Sequence, residues 1–214
     1  MQRNIDYHIH STFSDGELHP KNIVKVAEAK NLESICITDH FSLNKLALIE
    51  EELDNYFTVL KQQKSPVLLI FIGLEVDLSS RIDFISLTKH SWDLILFEYV
   101  FFWNDWERKL QEVIKFKKDY SEYNVGLAHT RFFRLPESRI DFVLSRLSRN
   151  EIIIELNTGY KNYLDPWFSY LDETFLFSLG SDAHIEYQIG EISAAWNFLE
   201  FRGIPTSCVI DLKK

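Results

Sequence analysis

At 214 residues the chain is long enough for one domain with a substantial core, and no polar linker or composition shift marks a second, so residues 1–214 read as a single domain. Hydrophobic residues make up 46% and aromatics 14%, which excludes a disordered chain; the longest strongly apolar run, near 94–103, contains Glu98 and is too short to span a bilayer. The formal charge of −9 argues against a sequence-independent grip on nucleic acid, although divalent ions held beside the acids would reverse the local field.

In chain order, residues 4–10 predict a strand that alternates towards His8 and His10, after a start without an apolar signal segment. Residues 20–30 predict a helix, with Pro20 early and Ile23, Val24 and Ala27 on one face. A strand follows at 34–38, then a long helix at 43–62 and an apolar strand at 66–74. The apolar stretch 93–102 reads as another strand, 105–120 as an amphipathic helix, 124–128 as a strand and 136–148 as a helix. Strands at 151–156 and 174–179, a helix at 189–202 and a short strand at 206–210 complete the pattern. Such alternation implies a parallel sheet with helices outside, open or closed into a barrel, and in either form function collects at the C-terminal ends of the strands. Cys36 and Cys208 lie among β-branched residues and no CxxC pair occurs, so free thiols in a reducing cytoplasm are expected and a zinc finger is excluded.

Five of the 7 histidines fall at or just past a predicted strand end. His8 and His10 are two apart on one strand, so both point to the same face and suit a chelate. Asp15 follows in a Ser14-Asp15-Gly16 turn that folds a carboxylate back towards them. Later strand ends carry Thr38-Asp39-His40, Gly73-Leu74-Glu75, Ala128-His129-Thr130-Arg131 and Gly180-Ser181-Asp182-Ala183-His184. One such histidine is most simply a hydrogen-bonded structural residue, but five at one end of a sheet point to a metal site. His19 and His90 read as surface residues, and Asp39 as a residue that orients a ligand without being one.

These motifs, in this order from residue 6 to about 190, resemble the polymerase and histidinol phosphatase (PHP) family. The resemblance implies an α/β fold, a distorted (β/α)7 TIM-like barrel, holding two or three divalent ions (Mn, Zn or Fe) and hydrolysing phosphoesters by metal-activated hydroxide. Carried over by residue, His8, His10 and Asp182 would bind a first metal, Glu75 would bridge to a second held by His129, and Asp15, His40 and His184 would hold a third. Asp182, Glu75 and Arg131 are the expected catalytic residues. One departure stands out: where the family places a histidine, this chain has Val100. Glu98, two residues earlier on the same face, either replaces it or pairs with a lysine or arginine. A carboxylate ligand there would favour harder ions such as Mn²⁺ over Zn²⁺.

Arg131 and then Arg134 are candidates for gripping phosphate, unless they are loop residues paired with acids; Asn157 is a candidate pocket or turn residue and Lys161 a further phosphate contact. The aromatics at 97–106 read mostly as core, with one or two walling a pocket near Glu98. A small phosphorylated metabolite, histidinol-phosphate-like or nucleotide, is the expected substrate. A nuclease or phosphodiesterase is the second reading, with Lys115, Lys117 and Lys118 as the one dense basic cluster, and a non-catalytic metal-binding scaffold is the third.

Overall fold

The computed structural model describes residues 2–42, 46–79, 82–102 and 104–212. Strands β1 (Ile5–Ile9), β2 (Ser34–Ile37), the two-residue β3 (His40–Phe41), β4 (Leu69–Asp77), β5 (Leu94–Glu98), β6 (Val125–Leu127), β7 (Ile153–Asn157) and β8 (Phe177–Gly180) are all paired in parallel. Their order is β1-β2-β4-β5-β6-β7-β8, with β3 pairing to β4 beside this path. Just past the strand ends the ring closes: Ile9 bridges Ala183, His10 N donates to Ala183 O at 2.9 Å and Asp182 N donates to His8 O at 2.9 Å. The result is a nearly closed parallel barrel of seven strands, wrapped by helices, in agreement with the expected fold class.

Helices α1 (Pro20–Ala29), α2 (Leu53–Lys61), α3 (Phe84–Leu87), α4 (Trp106–Asp119), α5 (Ile140–Arg149) and α6 (Ser193–Phe201) lie between the strands and after the last. In α1, Pro20 fills the first helical position, where no amide hydrogen is needed, and Ile23, Val24 and Ala27 form its buried face. No helix among the described residues is long and apolar enough to cross a membrane.

Three predicted elements differ. The long helix at 43–62 shrinks to α2, preceded by a 3-10 turn at Glu50–Glu52; residues 43–45 lie outside the described residues. Leu48 instead runs back along β3, its N–H donating to His40 O at 2.8 Å, so this stretch of backbone is satisfied by β3 and not by a helical turn. The strand expected to run to residue 102 stops at Glu98, because Tyr99 turns to a φ of 58°. The last predicted strand is a 3-10 turn, Thr206–Cys208, started by Pro205 and touching the barrel through one bridge, Phe177 to Val209.

Candidate metal centre

β1 delivers His8 and His10 side by side into the C-terminal mouth of the barrel, their Nε2 atoms 2.9 Å apart. Glu75, inside β4, reaches them from across the mouth: its Oε2 is 3.2 Å from His8 Nε2 and 3.5 Å from His10 Nε2. Asp182 Oδ1 lies 3.0 Å from His10 Nε2 and 3.6 Å from His8 Nε2. The register of β3 on β4 sets His40 beside Glu75, with His40 Nδ1 3.0 Å from Oε2. His129, just beyond β6, meets Glu75 Oε1 at 2.8 Å. Asp15 comes back on its turn to within 3.2 Å of His184 Nε2 and 3.7 Å of both His10 Nδ1 and His40 Nε2. The turn needs Gly16, where a Cβ would sit 2.4 Å from His10 O.

All nine expected ligand side chains therefore converge. Three sets have donor atoms within 4.8 Å of one another: His8, His10 and Asp182; His10, Asp15, His40 and His184; and His40, Glu75 and Glu98. Glu98 Oε1 is 3.4 Å from His40 Nδ1 and Oε2 is 3.8 Å from His129 Nε2, and no lysine or arginine among the described residues pairs with it. Val100 is buried at the side of the mouth and takes no part in these sets.

The electrostatics call for cations. Burial and the neighbouring Glu75 raise the Glu98 carboxyl to about 7. Burial opposes charge on Glu75 too, yet the imidazoles of His8, His40 and His129 hold it well below the carboxylate range. Burial likewise opposes charge on His40, but Glu75 and Glu98 push it up to about 11. The acids raise His8, His40, His129 and His184, whereas burial lowers His10. Glu75 Oε2 is fully buried and, despite three ring nitrogens within 3.5 Å, accepts no well-aligned hydrogen bond. Buried carboxylates, clustered imidazoles and an orphaned oxygen fit a divalent-ion cluster.

A surrounding layer fixes these groups. Glu155, in β7, accepts His8 Nδ1–H at 2.7 Å and the backbone N–H of His129 at 2.6 Å. Its position in the chain is the same signal that marked Glu98, a lone carboxylate in an apolar strand, yet it was not among the expected site residues. Asp39 accepts from Ser11 N, Ser11 Oγ and Ser14 Oγ at 2.6–2.7 Å, and so holds the loop that carries Asp15. Tyr160 stacks on His129, ring centroids 4.2 Å apart. Tyr99, His129 and Asp182, all at the mouth, are three of the six described residues other than glycine that have positive φ; the others are Asn31, Glu151 and Lys161.

Arg131 and Arg134 both line a cavity beside His129. Arg131 donates to Tyr160 O at 2.7 Å, and the Arg134 guanidinium lies 3.9 Å over the Phe102 ring. Asn157 is placed differently from the pocket reading: it is fully buried, donating to Glu155 Oε1 at 3.1 Å and accepting from Tyr160 N at 2.8 Å, and so shapes the turn. Lys161 is exposed on that turn with φ 52° and does not line the cavity. His90, expected at the surface, packs its ring on Phe57 at 4.6 Å. The basic cluster of the nuclease reading is engaged on α4: Lys115 pairs with Asp119, and Lys117 donates to Ser121 O and Tyr123 O.

Comparison with known proteins adds four findings. The model of the PHP domain family matches residues 6–200. A probable histidinol-phosphatase of Thermotoga maritima is 28% identical over 202 residues, covering 87% of this chain and 86% of that protein. Among solved structures, histidinol phosphate phosphatase of Lactococcus lactis subsp. lactis, complexed with zinc, L-histidinol and phosphate, superposes with a TM-score of 0.64 at 22% identity, covering 94% of each chain. A Listeria monocytogenes protein described as a histidinol phosphatase gives 0.61 at 16% identity, over 90% of this chain and 99% of its own.

Proposed function

Since the chain belongs to the PHP domain family, we propose that it is a metal-dependent phosphatase that hydrolyses a small phosphate monoester. The observation that carries this reading is the convergence of His8, His10, Asp15, His40, Glu75, Glu98, His129, Asp182 and His184 around an unsatisfied buried carboxylate oxygen. Support for a monoester comes from the Thermotoga maritima relative and from the L-histidinol and phosphate held by the Lactococcus lactis protein. Buried, unpaired Cys36 and Cys208 fit a reducing cytoplasm.

His8, His10 and Asp182 would hold one ion, Glu75 would bridge to a second held by His129 and Glu98, and Asp15, His40 and His184 would hold a third. Divalent ions bound there neutralise phosphoryl oxygens and acidify the attacking water. Glu98 makes one ligand set richer in carboxylate than in imidazole, which favours Mn²⁺ over Zn²⁺. Glu155, by accepting from His8 Nδ1, would leave the Nε2 lone pair to face an ion. Arg131, which lines the cavity beside His129, would grip phosphate oxygens with its remaining donors.

The test is turnover of an aryl phosphate monoester beside the matching diester with Mn²⁺, with chelator and Asp182→Ala as controls. The monoester is expected to be faster, and both controls to remove at least about 99% of the rate, the loss of a group that stabilises charge in the transition state. A faster diester would replace this reading with a phosphodiesterase, and metal binding without turnover of either would favour the scaffold.

A further inference from the structure

The cavity beside His129 has about 220 Å³ of free space. An engineered apolar cavity of about 150 Å³ accepts benzene, so this volume suits one substituted ring or a small fused pair. Its walls are unusual for a protein surface. Tyr99, Phe102, Phe133 and Tyr160 are between 37% and 52% exposed, and all four line it. Aromatic rings left partly exposed at the rim of a site are surface kept for a ligand, here with one face of Phe102 under Arg134 and one face of Tyr160 against His129. Two guanidiniums, Arg131 and Arg134, join them, and no carboxylate lies among the described residues that line the cavity. Arg134 is already stacked at 3.9 Å over Phe102, which leaves the edge of its planar fork available to an anion. The acidic side of the mouth, with Asp15, Asp77 and Glu98, lies in a separate recess that shares Tyr99 and Phe102 with this one.

We propose that this cavity selects the leaving group, and that it takes a planar ring carrying a second negative charge and not a cationic amino alcohol. The inference rests on the phosphomonoester reading for the position of the scissile phosphate and goes beyond it in naming the substrate class. The ring stacks among Tyr99, Phe102 and Phe133, and its anionic substituent pairs with Arg134. A cationic leaving group would meet two guanidiniums at close range with no carboxylate to answer it.

The experiment reads binding, so that it does not depend on turnover. The full chain loaded with Mn²⁺ is titrated calorimetrically with 4-carboxyphenylphosphonate, phenylphosphonate and 2-aminoethylphosphonate, each inert to hydrolysis at the phosphonate bond. The carboxyphenyl compound is expected to bind about tenfold tighter than the phenyl one, and the phenyl one tighter than the aminoethyl one. Arg134→Gln is expected to bring the carboxylate advantage to within about twofold, and Phe102→Leu to shrink the advantage of the ring. Replacing the carboxylate by a second phosphonate on the same ring tells which anion the guanidinium prefers. Aminoethylphosphonate binding as tightly as the aryl compounds overturns the proposal, as does an unchanged order of affinities in two variants that keep the thermal midpoint of the parent. Hydrolysis of the aryl monoester in the same sample is scored separately. Turnover with a flat order of affinities sinks the pocket assignment alone, and the expected order without turnover sinks the phosphatase reading alone.

Discussion

Glu155 holds no expected ion, yet it touches two residues that would. One oxygen fixes the His8 ring and the other fixes the backbone of His129 at its uncommon φ of 27°. Removing such a supporting carboxylate typically lowers metal affinity by about 10–100-fold while the ligands themselves stay in place. Glu155→Ala is expected to do this for Mn²⁺ or Zn²⁺, read by titration calorimetry; affinity within about twofold of the parent would mean that His8 is oriented by the ions alone. The residues that converge at the mouth were legible in the sequence because metal-binding residue types recur at strand ends. Glu155 was not: it is a lone carboxylate in an apolar strand like Glu98, but Glu98 stands two residues from a position that the family resemblance marks, and nothing marks Ile153–Asn157 in that way. The sequence left Asn157 open between pocket and turn because an amide after a strand looks the same whether it faces a cavity or folds a turn.

The strands carry the chemistry only because of how closely they approach one another. At Gly180, the last residue of β8, an added Cβ would lie 2.2 Å from Glu155 Oε1 and 2.5 Å from His8 Cβ. Gly180→Ala is therefore expected to destabilise the fold by about 1–3 kcal/mol and to loosen metal binding through Glu155. Urea unfolding and metal titration together check this: lost stability with unaltered affinity would separate the packing of β8 from the site. At this scale the strand–helix alternation was readable from apolar patterning, and every barrel strand fell within a predicted one or overlapped it. The failures came where the backbone is satisfied by neighbours distant in sequence. The segment around Leu48 lies on β3, and the chain after Glu98 turns at Tyr99, which no local apolar pattern encodes. Residues 206–210 have strand-like composition but a single bridge to β8.

Across the whole molecule, closure of the barrel rests on Asp6. Its carboxylate accepts Ser181 N at 3.0 Å, Ser181 Oγ at 2.6 Å and Gly190 N at 2.7 Å, joining β1 to the segment that presents Asp182 and His184. Burial raises its pKa from 3.8 to about 6, against the lowering effect of those donors. The folded protein thus keeps a proton there between about pH 4 and 6 that the unfolded chain has released. Stability falls as pH rises through this window, by on the order of 3 kcal/mol from this group, and is level above it. Asp6→Asn removes the titration but also turns an amide towards donors, so it is expected to be less stable at pH 4.5 and to lose this part of the pH slope. Urea melts at pH 4.5 and 7 measure the difference, and an identical slope in both proteins would show that Asp6 is already ionised throughout.

The same closure has a consequence in time. His8 and His10 leave the ribosome more than 170 residues before Asp182 and His184, and they meet only when the last strand docks beside the first. A nascent or truncated chain therefore presents imidazoles without the carboxylate that completes their set, and acquires its full affinity for ions in one late step. Ion uptake becomes a timer for the end of folding, so capture of the metal should trail the appearance of secondary structure in a refolding experiment and coincide with the final, long-range event.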